Sequence, residues 1–309
     1  MRFLIASIVT VFFLLNPCDT YSNSMQEVIK IAPYGNSITQ GANNRPTYRY
    51  PLWKKLIDKN VSFDFVGSMN TNFGGDPSRP NYKGKVFDKE HEGHWGWRAD
   101  EILSKMNAWL TQYTPDMVLF HIGTNDCIQG QNNSTTQNEI TQIITNLRND
   151  NPKVVIFLAT LIPCNASANA SNLVKDLNTK IKAMSSQLST QASPVILVDQ
   201  FTGIDASKDL YDGIHPGETG EEKMAQKWFN AIDTYLTATR TNEMFVLNNS
   251  RSSVKEADHH LELVCSQSSP QRGVPLAING SVANLLGKTM LRTTGTVNRT
   301  NGVYIISNP

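Results

Sequence analysis

The chain has almost no imbalance of charge. Its 309 residues include 28 lysines and arginines against 27 aspartates and glutamates, and no run of like charges occurs. Nucleic acids and anionic membrane surfaces are bound through an excess of positive charge. Neither is therefore an expected partner of this protein.

Cysteines are also scarce, and their spacing excludes a common structural use. The sequence contains four, Cys18, Cys127, Cys164 and Cys265, with no CxxC pair and no His/Cys cluster at metal-ligand spacing. A structural zinc site needs four such ligands close together. No metal is therefore expected. No internal repeat is present either.

Only one long apolar run occurs, and it lies at the N-terminus. Residues 3–15 are apolar, follow a single arginine and precede a polar segment. This pattern predicts a secretory signal peptide over residues 1–24, with cleavage near Ser24. The run is short for a membrane span, and Asn16-Pro17 before Cys18 is a poor match to a lipid-anchor site. We expect a secreted or cell-surface protein without stable membrane insertion once the signal is removed.

The rest of the chain alternates short apolar runs with amphipathic ones. The apolar runs predict five buried strands, at residues 28–32, 63–66, 117–122, 154–159 and 195–198. Helical patterns lie between them, at residues 102–110, 140–147, 173–184 and 224–232. Such alternation predicts a parallel five-stranded sheet covered by helices on both faces. Ligands of these sheets bind outside the carboxyl ends of the strands.

Two segments depart from this alternation. Residues 70–98 contain many Gly, Pro and polar residues and end in HEGHWGWRAD; a loop this long is usually functional. After about residue 241 the alternation stops, residues 249–275 look irregular and polar, and short β-like runs follow. We predict a main domain over residues 25–240, then a linker and a small β-rich C-terminal module over residues 241–309.

Four short motifs follow the predicted strands or precede the last helix. Ser37 in YGNSITQG follows the first strand, Gly67 follows the second, and GTND, which contains Asn125, follows the third. In DGIHPGETG, Asp212 and His215 are three residues apart. A hydrogen bond from His215 Nδ1–H to Asp212 would leave Nε2 free as a base. Taken alone, each motif also fits an ordinary turn or helix cap.

Together, GNSITQG, VGS, IGTND and DGIHPG resemble the SGNH (GDSL-type) hydrolases, in that family's order, across residues 28–236. The resemblance implies a flavodoxin-like, three-layer α/β/α fold with no metal or organic cofactor. It assigns Ser37 as the nucleophile, His215 as general base and then acid, and Asp212 as the residue that orients His215. The backbone N–H groups of Ser37 and Gly67 and the side-chain amide of Asn125 would form the oxyanion hole.

The residue types suit that chemistry. A serine hydroxyl needs a neighbouring base to become a nucleophile, and the oxyanion needs donors already directed at it. One position departs from the family, since Asn36 stands where Asp is usual. Asn36 can still bond the nearby backbone, so we expect activity to survive. The GxSxG elbow of α/β-hydrolases is absent.

Within the SGNH group, the stretch from VGS to HEGHWGW is similar to carbohydrate esterase family 3. That family consists mainly of acetyl xylan esterases, which release acetate from acetylated polysaccharide. Trp95 and Trp97 would then form a platform for sugar rings, or else simply pack in the core. His94 would border the site, whereas His91 would make a loop contact. The polar residues 127–136 argue against a long acyl chain, which needs apolar surface.

Two further features of the sequence each have two possible interpretations. Cys127 and Cys164 follow strands predicted to be neighbours, which favours a disulfide over two buried free thiols in an exported protein. The C-terminal NLLGKT and GVYII resemble type IX secretion sorting domains. A generic β-appendage or a minor sugar-binding module is the alternative there.

The sequence therefore predicts a secreted serine esterase that removes acetyl groups from carbohydrate such as acetylated xylan. Its expected partner is an acetylated polysaccharide or another small ester. A lysophospholipase or thioesterase of the same superfamily is the enzyme alternative. The alternative from another class is a non-catalytic carbohydrate-binding protein on the same scaffold.

Overall fold

The computed structural model describes residues 28–45 and 47–241 in full, and the backbone of residues 242–264, 277–283, 289–300 and 303–307. The predicted signal peptide, Cys18 and Cys265 lie outside the described residues. The chain divides into two compact units, Met1–Ala238 and Thr239–Pro309.

A parallel sheet forms the centre of the first unit. Its strands are β1 Ile29–Gly35, β2 Phe63–Phe65, β3 Glu92–Gly93, β4 Met117–His121, β5 Val155–Ala159 and β6 Val195–Val198. They are ordered β2-β1-β4-β5-β6, and β3 pairs with the carboxyl end of β1. All five predicted strands are confirmed. The additional strand, β3, is two residues long, too short to leave an apolar pattern.

Helices cover both faces of this sheet. The first unit contains α1 Ser37–Gln40, α2 Arg49–Asp58, α3 Ala99–Leu110, α4 Thr124–Ile128, α5 Asn133–Asp150 and α6 Ala168–Leu188, and α7 Glu218–Val264 begins in it. Alternate residues of β4 enter different cores: Val118 and Phe120 join one, Met117 and Leu119 the other. Because successive strand residues point to opposite faces, a strand buried on both sides is apolar throughout. The predicted α/β architecture is confirmed.

The prediction for residues 249–275 is wrong in its first part. Helix α7 continues to Val264, because no glycine or proline interrupts the chain between Gly220 and Pro270. In the second unit, β7 Ala277–Ala283, β8 Thr289–Thr300 and β9 Val303–Ser307 form an antiparallel sheet, where β-like runs were expected. Its role in secretion stays a prediction. Within the described residues, no helix is long and apolar enough to cross a membrane.

Candidate active site

The serine at the end of β1 lies in a tightly held turn. Asn36 caps helix α1, because its Oδ1 accepts a hydrogen bond from Ile38 N at 3.0 Å, and Ser37 is the first residue of the helix. Gly35 is required by close packing, since a Cβ there would lie 2.7 Å from the carbonyl oxygen of His121. Asn36 thus makes the backbone contact expected of it without a negative charge.

A buried arginine holds the far end of this turn. Arg49 is 1% exposed. Its guanidinium donates to the carbonyl oxygens of Thr39 at 2.9 Å, Gln40 at 3.0 Å and Lys89 at 2.6 Å, and to Asn72 Oδ1 at 3.0 Å. Burial lowers the pKa of Arg49 to about 10, which leaves it charged at neutral pH. The cation therefore ties the nucleophile turn to the loop after β2.

Ser37, His215 and Asp212 form one chain of hydrogen bonds. Ser37 Oγ lies 2.8 Å from His215 Nε2, and His215 Nδ1 lies 2.7 Å from Asp212 Oδ2. Asp212 Oδ1 also accepts from the backbone N–H of His215 at 2.7 Å. Burial raises the pKa of Asp212, but the backbone and ring bonds from His215 outweigh it and lower this pKa. With Nδ1–H donating to Asp212, Nε2 can accept the serine proton.

His215 is the middle of a stacked column of side chains. Its ring stacks on Trp95 at 4.9 Å between centroids and on Tyr211 at 5.7 Å. Phe73 in turn stacks on Trp95 at 4.8 Å, and the Arg45 guanidinium lies 4.2 Å from the centroid of Tyr211. The column fixes the plane of the imidazole relative to Ser37.

This column changes the interpretation of the tryptophans. Trp95 does lie at the site, where its ring stacks on both His215 and Phe73; its use as a platform for a sugar ring stays a prediction. Trp97 packs against the core, and the predicted border residue His94 is only 8% exposed. The His94 ring contacts both Trp97 and Trp109, at 4.4 and 4.5 Å between ring centroids. Neither His94 nor Trp97 lines the cleft beside Ser37, and Trp97 packs against the core, the alternative stated for the tryptophans; a substrate-lining role for either residue stays a prediction.

The predicted oxyanion donors lie on the loops after β2 and β4. Asn125, in α4, has its amide held by the carbonyl oxygen of Trp97, to which Nδ2 donates at 2.8 Å. Gly67 packs against the backbone of His91, whose carbonyl carbon would lie 2.1 Å from a Cβ at position 67. Close packing accounts for the glycine whether or not its N–H binds an oxyanion. His91 Nε2 lies 3.2 Å from the carbonyl oxygen of Thr71, the loop contact that was expected.

A buried glutamate links these two loops, and nothing in the sequence pattern pointed to it. Glu92 is fully buried and accepts from Ser68 N at 2.8 Å, Ser68 Oγ at 2.6 Å and the Tyr113 hydroxyl at 2.5 Å. Its Oε1 lies 2.6 Å from His94 Nε2. Since Ser68 follows Gly67 and His94 stacks on Trp97, Glu92 contacts the supports of both predicted donors.

A shallow cleft opens beside Ser37 and His215, and its other lining residues include Arg45, Trp95, Tyr211 and Glu221. Glu221 is 3% exposed, and its burial raises the pKa of its carboxyl to about 9. This carboxyl is therefore protonated at neutral pH. Sequence reasoning missed Arg45, Tyr211 and Glu221, although Tyr211 directly precedes the DGIHPG motif.

The predicted disulfide is wrong. Cys127 and Cys164 are both buried free cysteines. Cys127 lies within α4, where its Sγ donates to Asn133 Oδ1 at 3.9 Å, and burial raises its thiol pKa to about 12. Both side chains are buried in the same apolar core, where they are free thiols rather than a disulfide. In the part of the chain that the structure describes, no group of three or more His, Cys, Asp or Glu residues could hold a metal ion.

Comparison with known proteins agrees with this geometry. Residues 34–223 match the GDSL-like Lipase/Acylhydrolase family. A multidomain esterase of Ruminococcus flavefaciens is 32% identical over 245 residues, which are 73% of this chain and 31% of that protein. A putative endoglucanase X of Acetivibrio thermocellus is 32% identical over 145 residues, or 45% of this chain and 59% of that one. The chain thus spans less than two thirds of either relative.

Solved structures place the chain in the same family, and the alignments cover nearly the whole length of those structures. A carbohydrate esterase family 3 protein from Talaromyces cellulolyticus is 29% identical, with a TM-score of 0.60 over 68% of this chain and 99% of its own. A Clostridium thermocellum family 3 carbohydrate esterase is 32% identical, with a TM-score of 0.56 over 69% and 99%. The protein belongs to the GDSL-like lipase/acylhydrolase family and is close to the family 3 carbohydrate esterases.

Proposed function

We propose that this protein is an exported serine esterase that hydrolyses acetyl esters of carbohydrate, such as acetylated xylan. The main support is the hydrogen-bond chain from Ser37 Oγ through His215 to Asp212, with contacts of 2.8 and 2.7 Å. A hydroxyl, an imidazole and a carboxylate in this order are the parts of a serine hydrolase triad.

In the proposed first half-reaction, Ser37 Oγ attacks the ester carbonyl carbon while its proton passes to His215 Nε2. Asp212 accepts from Nδ1–H and stabilises the imidazolium that forms. The N–H groups of Ser37 and Gly67 and the second N–H of the Asn125 amide would bind the oxyanion. Loss of one such donor typically lowers the rate by about 10²–10³-fold.

The tetrahedral intermediate then collapses. The bond from carbon to the alcohol oxygen breaks, and that oxygen takes the proton from His215 Nε2, which leaves an acetyl group on Ser37. In the second half-reaction, a water gives its proton to His215 and attacks the acetyl carbon. Acetate leaves, and the proton returns to Ser37.

Two observations support a short acyl group on a sugar. The relatives of known structure include family 3 carbohydrate esterases and an acetyl esterase mutant with an acetate ion, which is 28% identical with a TM-score of 0.61 over 69% of this chain and all of its own. Beside the triad, the cleft carries Arg45 and Glu221, whereas a site for long acyl chains would have an extended apolar lining.

The test compares acetate release from acetylated xylan with hydrolysis of aryl esters of increasing chain length. Ser37→Ala should abolish both activities, because Ser37 Oγ is the hydroxyl that lies against His215 Nε2 within the residues that the structure describes. Ser104→Ala is the matched control, since Ser104 is an exposed serine on α3 that donates only to the Glu101 carbonyl oxygen. It should retain full activity.

The alternatives predict different outcomes. Faster hydrolysis of long-chain than of acetyl esters would indicate a lysophospholipase or thioesterase. Binding of xylan without any hydrolysis would indicate a non-catalytic carbohydrate-binding protein. Equal rates for Ser37→Ala and the unaltered protein would refute the mechanism. Export is tested separately by N-terminal sequencing of the secreted product, expected to start near residue 25.

A further inference from the structure

We infer that Arg45 forms a subsite for a carboxylate on the alcohol part of the ester. The enzyme would then favour acetyl groups carried by an acidic sugar, such as a uronic acid or a residue linked to one. This inference rests on the proposed esterase function and names the substrate class within it.

The position of the cleft identifies which part of the ester it receives. The leaving alcohol oxygen must take its proton from His215 Nε2, so the alcohol has to lie on the His215 side of the carbonyl carbon. The cleft is lined by Ser37, His215, Tyr211 and Arg45, whereas Gly67 and Asn125 lie on the other loops of the sheet edge. The cleft therefore receives the sugar, and the acetyl group lies toward the oxyanion donors.

Arg45 presents an uncompensated positive charge in this cleft. Within the described residues its guanidinium forms no salt bridge with an acid, unlike Arg98, which pairs with Asp100 at 2.8 Å. A guanidinium offers a planar fork of N–H donors that matches the two oxygens of a carboxylate. Because Arg45 is exposed, water solvates this charge when the sugar is neutral, whereas a uronate would pair with it.

The nearby acids do not cancel the charge of Arg45. Glu221 is buried with a raised pKa of about 9, so it is neutral at pH 7 and can hydrogen-bond a sugar hydroxyl. Asp212 is engaged by His215 through its ring and its backbone. Glu218, the remaining acid near Glu221, is exposed to solvent, where screening weakens its effect.

The position of Arg45 relative to the reacting atoms is also fixed. Arg45 exchanges two backbone hydrogen bonds with Ala42, at 3.2 and 3.3 Å, just beyond the nucleophile helix. Its guanidinium lies over Tyr211, which stacks on His215. A carboxylate bound to Arg45 would therefore stand at a defined distance from Ser37, which favours transition-state binding over loose association.

The experiment measures kcat/KM for two aryl acetates that differ in charge, 4-acetoxybenzoate and 4-acetoxybenzamide. The anionic-to-neutral ratio is compared among the unaltered protein, Arg45→Gln and Arg45→Lys. Arg45→Gln should lower this ratio about two- to five-fold, the upper part of the range for an ion pair with an exposed partner. Arg45→Lys should keep part of the ratio, because it retains the charge and loses the fork.

Lys153→Gln supplies the matched control. It removes the same charge from the turn before β5, at the opposite end of the strands, and should leave the ratio unchanged. The same comparison is then made with an acetylated methyl glucuronoside and an acetylated methyl glucoside. Their ratio should fall in Arg45→Gln as well.

The outcomes separate the inference from the function on which it rests. Activity on both esters that is lost in Ser37→Ala, together with a ratio insensitive to Arg45, would overturn the subsite and leave the esterase intact. No Ser37-dependent hydrolysis of either ester would overturn the proposed function. An equal fall in the ratio in Lys153→Gln would also overturn the subsite, because the ratio would then depend on the net charge of the protein and not on Arg45.

Discussion

The two regions that bring Ser37 and His215 together are built in different ways. The turn around Ser37 is buried and held from outside, by Arg49 and by the Thr47 hydroxyl, which donates to the carbonyl oxygen of Thr39 at 3.1 Å. The loop around His215 is held largely by itself: Asp212 accepts from two backbone N–H groups of its own turn and is 40% exposed.

This difference suggests that residues of the buried turn mainly stabilise the fold, whereas residues of the exposed loop mainly carry the chemistry. A change in the buried turn should unfold the protein, because it leaves backbone carbonyls without donors in the core. A change in the exposed loop should leave the fold intact and alter only the chemistry. Four substitutions test this division.

The largest expected effect belongs to Asp212→Asn. Without the carboxylate the imidazolium loses its partner and the ring its tautomer, so kcat should fall about 10³–10⁴-fold. The midpoint of thermal unfolding should move little. Asp205→Asn is the control, since Asp205 is exposed and also accepts bonds within its own loop; it should keep full activity. A large loss of stability in Asp212→Asn would contradict the division.

Arg49→Met comes next. It removes a buried cation and the four hydrogen bonds that it donates, so that Gln40 O, Lys89 O and Asn72 Oδ1 lose this donor, which should lower the free energy of unfolding by about 3–5 kcal/mol. Chemical denaturation measures this change. Arg148→Met is the matched control, because Arg148 binds the carbonyl oxygens of Leu188 and Ser193 away from the site. It should cost stability without lowering kcat, whereas Arg49→Met should lower both.

Trp95→Leu should lower kcat about tenfold, an effect near 1.4 kcal/mol. The substitution frees one face of the His215 ring, so the base spends less time aligned with Ser37 Oγ. Steady-state kinetics on an aryl acetate measures the loss, and Trp95→Phe should restore most of it because it keeps the stack. Equal kcat in the leucine and phenylalanine variants would show that stacking on His215 has no role.

Glu221→Gln has the smallest effect, and it depends on pH. In the unfolded chain this carboxyl ionises near its usual pKa of 4.5, whereas in the folded protein burial raises the pKa to about 9. Between these values the unfolded state holds fewer protons than the folded state, so the native protein loses stability as pH rises. The variant should gain at least about 1 kcal/mol, or about 2–4 °C, between pH 5 and pH 8.

Glu222→Gln is the control for that measurement. Glu222 is the neighbouring residue on α7, with an exposed side chain paired to Lys55. Its substitution should show no gain that grows with pH. An equal, pH-independent shift in both variants would show that Glu221 is ionised in the folded protein.

Much of the fold could be predicted because buried parallel strands are apolar on both faces. The runs at residues 117–122 and 154–159 are of this kind and became β4 and β5. Strand β3 could not be found, since Glu92 and Gly93 join the sheet through pairing with Tyr34 and Gly35 and carry no pattern of their own. The helix beyond residue 249 was missed because its polar sequence resembles a linker, although no glycine or proline interrupts it.

In the site, motif order indicated which residues meet but not which way they face. Ser37 and His215 are 178 residues apart, and only the strand topology joins them. The sequence could not show that Trp95 would stack on His215, nor that Cys127 would be buried in the core. Arg49 left no signal at all, because its partners include Asn72 and Lys89 from distant loops.

The stacking of Trp95 on His215 gives the protein an optical reporter. An indole in ring contact with an imidazole emits less light once the imidazole becomes a cation, because the cation withdraws the excited electron. Trp95 is one of five tryptophans, and its contact with His215 is 4.9 Å. Subtracting the emission of Trp95→Phe would therefore give the titration of His215 in solution, without substrate and without turnover.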